Sequence, residues 1–125
     1  MELFKLKSFT RWAKTEKLAD QQLLNAIEEM NSGLTGVDLG SGLYKKRIAR
    51  KGYGKRGGYR TILALKHEER AIFMYGFAKN ERDNIEEEQL KWLHKMAKKY
   101  LGLSKHQLSK LVFQGYLLEV KQNDH

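Results

Sequence analysis

Cysteine and proline are both absent from this chain of 125 residues. Without cysteine the protein has no disulfide bond and no thiolate metal site, which agrees with a cytoplasmic location. Without proline it has no cis-proline switch. Charged residues interrupt Met1–Lys17, and no apolar run approaches the roughly 20 residues that a membrane-spanning helix needs. We therefore expect neither a signal peptide nor a membrane span.

Acidic residues are absent from one long stretch, between Asp38 and Glu68. Within it, Lys45–Thr61 holds eight basic residues and four glycines in seventeen positions. The net charge of the chain is +9, from 24 Lys and Arg against 15 Asp and Glu. A local positive excess is what a polyanionic partner requires, so nucleic acid is the first candidate. An anionic membrane surface or an acidic protein is the second.

The chain length and its 41% hydrophobic content indicate one globular domain over residues 1–125, with a modest core. At the N-terminus, Leu3–Lys7 is predicted to be a short edge strand. Ser8 or Thr10 then caps a short helix, and Asp20 is the predicted N-cap of a second helix. Gly33 follows the second helix at the position that favours a left-handed backbone.

The middle of the chain predicts strands. Gly36–Gly42 reads as a loop, and Leu43–Arg50 as a strand with basic residues on both faces. Lys51–Gly58 is rich in glycine and is predicted to be a mobile connection. Tyr59–Lys66 and Ala71–Phe77 are apolar and partly β-branched or aromatic, which predicts two central strands joined by a tight turn.

The last third predicts helices. Asp83 or Asn84 begins the strongest helix, with acidic residues in its first turn and Gly102 at its end. Ser104–Gln107 is a capping box for a short final helix, and Tyr116–Val120 is a possible terminal strand. The predicted fold class is therefore α+β: N-terminal helices packed on a small, mainly antiparallel sheet, followed by C-terminal helices.

The basic window has two interpretations. It is either a solvated strand face, or a binding surface for a phosphate backbone. Its glycines allow backbone N–H groups to approach phosphates, and the interleaved Tyr44, Tyr53 and Tyr59 offer rings on which unpaired bases stack. These features favour single-stranded RNA over a duplex groove. A second basic pair, Lys79 and Arg82, follows the second central strand, and it either joins this surface or pairs with neighbouring acids around the helix start.

Common catalytic groupings are not visible in the sequence. There is no nucleophile triad, no P-loop and no cofactor motif, and the four histidines lack partners at metal-ligand spacing, so no metal or cofactor is expected. If the protein is an enzyme, its catalytic groups must be lysine and arginine side chains. Cleavage of RNA by its own 2′-hydroxyl suits them, since Lys and Arg neutralise charge that develops on the phosphate. A lysine in a dense positive field can also act as the base.

Two motifs resemble the RelE/ParE superfamily of type II toxin–antitoxin toxins, and most closely its RelE-like, HigB-related branch. They are GKxGGYR within GLYKKRIARKGYGKRGGYRTILAL, and GFxKxERxN within FMYGFAKNERDNI. The resemblance covers roughly Phe4 to Val120. It implies a fold like that of microbial RNases, and an mRNA interferase that cuts mRNA in the ribosomal A site without metal. It also implies a cognate antitoxin, often a helix-turn-helix protein, through which alone operator DNA is bound.

The resemblance assigns roles to particular cations. Lys45 and Arg47 match the pair on the strand before the loop, one of which serves as base or phosphate clamp. Arg60 matches the arginine that stabilises the scissile phosphate, and Lys79 and Arg82 match the basic positions after the last central strand. The remaining RNA-binding candidates in the basic window are Lys46, Arg50, Lys51, Tyr53, Lys55, Arg56 and Tyr59.

The sequence departs from the RelE pattern at two positions. Asn80 stands where RelE has a second catalytic arginine, and Glu86 stands near a tyrosine that stacks on a base; Tyr53 or Tyr59 are the candidate substitutes. Two alternatives therefore stay open. One is a ParE-like inhibitor of DNA gyrase that cleaves nothing, and the other is a non-catalytic basic module that binds nucleic acid.

Overall fold

The computed structural model describes residues 1–50, 54–79 and 85–122, and for 54–56 the backbone alone. In chain order the elements are β1 (Glu2–Leu6), α1 (Lys7–Thr15), α2 (Asp20–Asn31), β2 (Val37–Gly40), β3 (Leu43–Arg50), β4 (Gly54–Lys66), β5 (Arg70–Ala78), α3 (Glu87–Leu101), α4 (Lys105–Phe113) and β6 (Leu117–Glu119). The described strands form one sheet in the order β2-β3-β4-β5-β1-β6. β1 is parallel to β5 and the other pairs are antiparallel, which confirms the predicted α+β class.

The core lies where the central strands β4 and β5 meet the helices. Both strands are apolar along most of their length, and Ile62, Leu63 and Ile72 are fully buried. The ring of Phe9 in α1 packs on that of Phe73, with 5.4 Å between their centroids. Trp12 lies so close over Gly76 that a Cβ at Gly76 would collide with the indole ring. Glycine at that position lets α1 approach β5.

The N-terminal predictions need three corrections. β1 is not an edge strand, because β6 from the C-terminus pairs with its outer side. Leu6 is the N-cap of α1 and makes no side-chain cap, and Thr10 donates to the Leu6 carbonyl oxygen instead of capping the helix. Asp20 is the first residue of α2, and its carboxylate accepts from the Lys5 ammonium at 2.6 Å and from the backbone N–H of Lys121 at 2.8 Å. The Asp20 carboxylate therefore makes tertiary contacts instead of capping α2.

The middle of the chain contains more strand than predicted. The predicted loop 36–42 includes β2, and β4 begins at Gly54, inside the predicted mobile connection. β3 has the predicted bounds, and the two central strands differ from prediction only at their ends. Pairing with a neighbour supplies backbone hydrogen bonds that the glycine-rich composition does not reveal. The connection 51–53 lies outside the described residues.

The C-terminal predictions are largely confirmed. Gly102 is the C-cap of α3, and Ser104 and Gln107 form the predicted capping box of α4, with N···O distances of 2.8 and 3.1 Å. The predicted start of α3 at Asp83 or Asn84, which lie outside the described residues, is wrong, because Ile85 and Glu86 are not helical and α3 begins at Glu87 with Glu86 as N-cap. Gly33 has the expected positive φ of 106° after α2.

Candidate nucleic-acid interface

A cleft of about 630 Å³ opens beside β2, β3 and β4, and we call it the cationic cleft. Its walls include four of the five cations that the sequence analysis named as catalytic: Lys45, Arg47, Arg60 and Lys79. The fifth, Arg82, lies outside the described residues. Residues from two strands and from the turn after β5 thus meet at one concave site of the size that usually holds a small ligand.

The strand register explains why these cations meet. Lys45 and Arg47 are two residues apart on β3, so their side chains leave the same face of the sheet. Arg47 is directly opposite Arg60 on β4, and cross-strand partners share a face. Lys79 follows the last residue of β5, and its backbone N–H donates to the Gly58 carbonyl oxygen at 3.2 Å. Ordinary antiparallel pairing therefore brings together cations that are up to 34 positions apart in the sequence.

The cleft cations differ in exposure. Arg47 and Lys79 are exposed, Lys45 is half-buried, and Arg60 is only 4% exposed. Arg60 donates from Nη1 to the Tyr59 carbonyl oxygen at 3.4 Å. Among the described residues, the side chains of Lys45, Arg47 and Lys79 take part in no ion pair, and no acidic residue lines the cleft. This part of the cleft offers positive charge to an incoming anion, and phosphate is the anion that Lys and Arg hold well.

Lys46 does not fit its predicted role in RNA binding. It borders the cleft but is only 5% exposed, and its ammonium lies 2.8 Å from a carboxylate oxygen of Glu29 and 3.0 Å from the Leu34 carbonyl oxygen. Successive residues of a strand point to opposite faces, so Lys46 turns toward α2 while its neighbours Lys45 and Arg47 turn away. Its charge holds α2, the following turn and β3 together.

Tyr59 is also committed to the interior. It is 4% exposed, its hydroxyl donates to the Glu16 carbonyl oxygen at 3.0 Å, and its ring meets Trp12 edge-on at 5.4 Å. The Arg50 guanidinium lies over the Tyr59 ring, 5.5 Å from its centroid. A ring enclosed in this way presents no face to a nucleobase, so the prediction that Tyr59 stacks on RNA is wrong for this structure.

Several predicted RNA contacts, and one departure from the RelE pattern, lie outside the described residues. They are Lys51 and Tyr53, the side chains of Lys55 and Arg56, and the RelE departure Asn80. Glu86, the second departure, is an exposed N-cap at the start of α3. A carboxylate there complements the partial positive charge of the helix N-terminus, which accounts for an acid at this position.

Two apolar residues of the cleft were not predicted from the sequence. Leu34 and Val37 line it, and their exposed fractions are 62% and 50%. The sequence does contain a signal, since Val37, Asp38 and Leu39 alternate between apolar and polar as a short strand does. What it lacks is any sign that this strand would lie beside Lys45 rather than beside another basic residue.

The described residues contain no group of three or more His, Cys, Asp or Glu side chains that could hold a metal ion. In this part of the chain, no helix has both the length and the apolar character required to cross a membrane.

The family model described as the RelE toxin of the RelE/RelB toxin–antitoxin system matches residues 1–120, which is nearly the whole chain. No curated protein matches the sequence.

Proposed function

Because the chain belongs to the RelE family of toxin–antitoxin toxins, we propose that it is a ribosome-dependent endoribonuclease that cuts mRNA and so inhibits translation. The observation that supports this function best is the convergence of Lys45, Arg47, Arg60 and Lys79 on one cleft. RNA carries its own nucleophile, the 2′-hydroxyl beside each phosphate. The protein needs to orient that hydroxyl, remove its proton and stabilise the charge that develops on the phosphate.

The proposed reaction is an internal displacement at phosphorus. A base takes the proton of the 2′-hydroxyl, the 2′-oxygen attacks the adjacent phosphorus, and the bond from phosphorus to the 5′-oxygen breaks. The departing 5′-oxygen takes up a proton, which leaves a 2′,3′-cyclic phosphate on one fragment and a 5′-hydroxyl on the other. No metal ion has a part in these steps, because protein cations carry the electrostatic role.

We assign catalytic roles to the four cations from their positions in the cleft. Arg60 is the most buried cation, so its guanidinium is the best placed to meet a phosphate in a water-poor environment, where charge stabilisation is strongest. Lys45 and Arg47, on the neighbouring strand, clamp the phosphate, and one of them acts as the base. Lys79, from the turn after β5, is suited to protonate or stabilise the departing 5′-oxygen.

Partners follow from family membership. A toxin of this family has a cognate antitoxin, and we propose that here it is a helix-turn-helix protein through which alone the complex contacts operator DNA. The remaining partners are the ribosome and its mRNA in the cytoplasm. A net charge of +9 favours rapid association with ribosomal RNA, and this association weakens as salt rises.

The deciding experiment is primer extension on a reporter mRNA incubated with the protein, with and without ribosomes. We expect new 5′ ends that require ribosomes and disappear with Arg60→Ala. Lys110→Ala is the matched control, because it removes an exposed cation from α4 without touching the cleft. Cleavage by Arg60→Ala at the wild-type rate would remove Arg60 from the mechanism.

The same experiment separates the alternatives. An uncut message together with arrested growth and a DNA-damage response would replace this proposal with gyrase inhibition. An uncut message without growth arrest would leave a basic nucleic-acid-binding module. In either case the cationic cleft would be a binding surface rather than a centre of catalysis.

A further inference from the structure

The cationic cleft has two chemically different walls. Cations of β3, β4 and the turn after β5 form one wall. The other consists of Leu34, Gly36 and Val37 from the turn after α2 and the start of β2, and we call it the apolar ledge. Exposed aliphatic side chains are ordinary when they are scattered, but here two of them face the same concave space as Lys45, Arg47, Arg60 and Lys79.

The strand register sets the distance between the two walls. Val37 is directly opposite Lys45 on β3, so the two side chains share a face of the sheet. Arg47 and Arg60 form the next cross-strand pair on that face, about 7 Å further along the strands. Val37 therefore lies on the strand next to Lys45. Along the strand direction it is one same-face residue pair away from Arg47 and Arg60.

The apolar ledge is held in place from behind. The buried Lys46 ammonium donates to the Leu34 carbonyl oxygen at 3.0 Å, and Glu29 of α2 holds that ammonium at 2.8 Å. Gly36 has a φ of 75°, and a Cβ there would collide with the Lys45 carbonyl oxygen. The turn thus packs directly on the β3 backbone, and Leu34 and Val37 are presented at a fixed place.

We propose that the apolar ledge is the nucleobase subsite of the cleft: Leu34 and Val37 pack on the face of a base whose phosphate lies on Arg47, Arg60 and Lys79. The inference rests on the proposed function, since it takes RNA as the ligand. A nucleotide is itself two-sided, with an anionic phosphate at one end and a flat apolar face at the other. The cleft offers the complementary arrangement, so charge and apolar character both match one ligand.

Two consequences distinguish this subsite from simple phosphate binding. Affinity depends on the presence of a base, which a purely electrostatic surface does not sense. Contact with an aliphatic side chain also increases with the area of the base, so a purine at this position binds more tightly than a pyrimidine. Because the contact is apolar, the part of the affinity that depends on the base is insensitive to salt, unlike the phosphate part.

The test measures binding without cleavage. The first probe is a short 2′-O-methyl RNA, which lacks the attacking hydroxyl, and the second is an abasic oligonucleotide with the same 2′-O-methyl backbone and the same number of phosphates. Both are titrated at low salt against the wild type and the double variant Leu34→Ser/Val37→Thr, whose threonine keeps the strand-favouring branched side chain. Phe113→Ser is the matched control, since Phe113 is 93% exposed on α4 and outside the cleft.

We expect the wild type to bind the base-bearing probe about fivefold more tightly than the abasic one, near the lower limit for stacking on aromatic residues. The double variant should bind both probes equally, and its affinity for the abasic probe should match that of the wild type and of Phe113→Ser. Leu34→Met, which keeps an apolar side chain, should retain the preference.

Two results overturn the inference: equal wild-type affinity for both probes, or an undiminished preference in the folded double variant. If the double variant does not fold, Leu34→Ser alone decides, because an exposed turn residue is seldom required for stability. Absence of ribosome-dependent mRNA cleavage would count against the proposed function alone, because neither probe can be cleaved by 2′-hydroxyl attack.

Discussion

Arg60 and Arg70 lie at opposite ends of the same β4–β5 hairpin, and both are buried, with exposed fractions of 4% and 8%. Arg70 is enclosed by acceptors. Its Nε and Nη2 both donate to one Glu2 carboxylate oxygen at 3.0 Å, and its Nη1 donates to the carbonyl oxygens of Tyr100, at the end of α3, and Leu103, just after it. Arg60 lines the cationic cleft together with Lys45, Arg47 and Lys79.

The comparison shows that burial alone does not separate a structural cation from a candidate catalytic one. Arg70 lies where a carboxylate and a helix C-terminus both favour positive charge, so it stabilises the fold. Arg60 lines the cleft beside Lys45, Arg47 and Lys79, and an anion that enters the cleft interacts favourably with these cations. Like-charge clusters of this kind are typical of binding and catalytic sites.

The sharpest test of this contrast is Arg60→Ala. Loss of one contact made in the transition state lowers the cleavage rate about 10²–10³-fold, or about 2.7–4 kcal/mol. Ribosome binding, measured by co-sedimentation, should change far less, because the remaining cleft cations still hold the RNA. Equal losses in cleavage and in binding would show that Arg60 serves only to bind.

Arg70→Ala should give the opposite pattern. It leaves the Glu2 carboxylate and the carbonyl groups at the end of α3 without the Arg70 donor, so we expect the free energy of unfolding to fall by about 3 kcal/mol. Urea denaturation measures that loss, and the melting temperature should drop by about 10 °C. Cleavage per folded molecule, assayed well below the melting temperature, should match the wild type. A selective loss of cleavage in a stable Arg70→Ala protein would contradict the division drawn here.

The adjacent lysines Lys45 and Lys46 extend the comparison to neighbours in the sequence. Lys46→Met removes the contacts to Glu29 and Leu34 and should cost about 1–2 kcal/mol of stability in urea denaturation. Lys45→Met should change stability by less than about 0.5 kcal/mol but reduce the salt slope of RNA binding by about one. If both variants showed the same salt slope, Lys45 would not contact phosphate.

The smallest expected effect concerns Tyr100, which lies at the end of α3 beside Arg70. Burial raises the pKa of the Tyr100 phenol above its ordinary value of 10.0. Above about pH 10 the unfolded chain loses this proton first, so the wild type loses stability as pH rises toward the folded-state pKa. Tyr100→Phe lacks this contribution, so denaturation midpoints compared at pH 9 and pH 11 should shift less in the variant. An identical shift would mean that the phenol ionises as easily in the folded protein.

Local sequence predicted most of the elements. β3, the central strands, Gly102 as the end of α3 and the α4 capping box all follow from patterns read over a few residues. The predictions failed where distant segments supply the partner. β6 pairs with the outer side of β1, so β1 is an inner strand and not an edge strand. Lys5 and Lys121 donate to the Asp20 carboxylate, which therefore does not cap α2.

The sequence predicted which residues make up the candidate site better than it predicted which of them face the cleft and which make structural contacts. The basic window and the pair after β5 contain the cleft cations, and the motif resemblance named them. Nothing in the order KKR, however, tells which lysine turns toward α2 and which toward the cleft. Strand alternation makes the two faces different, and the fold decides which of them is covered.

The sequence by itself determined the class of the protein: a small α+β toxin-family domain with its positive charge concentrated in one acid-free stretch. Only the tertiary structure decided which cations are structural and which are available to a ligand. It paired Lys46 with Glu29 and Arg70 with Glu2, and it enclosed Tyr59 against Trp12. The physical reason is that the role of a charged side chain depends on its partners and its solvent access, and both come from segments far away in the chain.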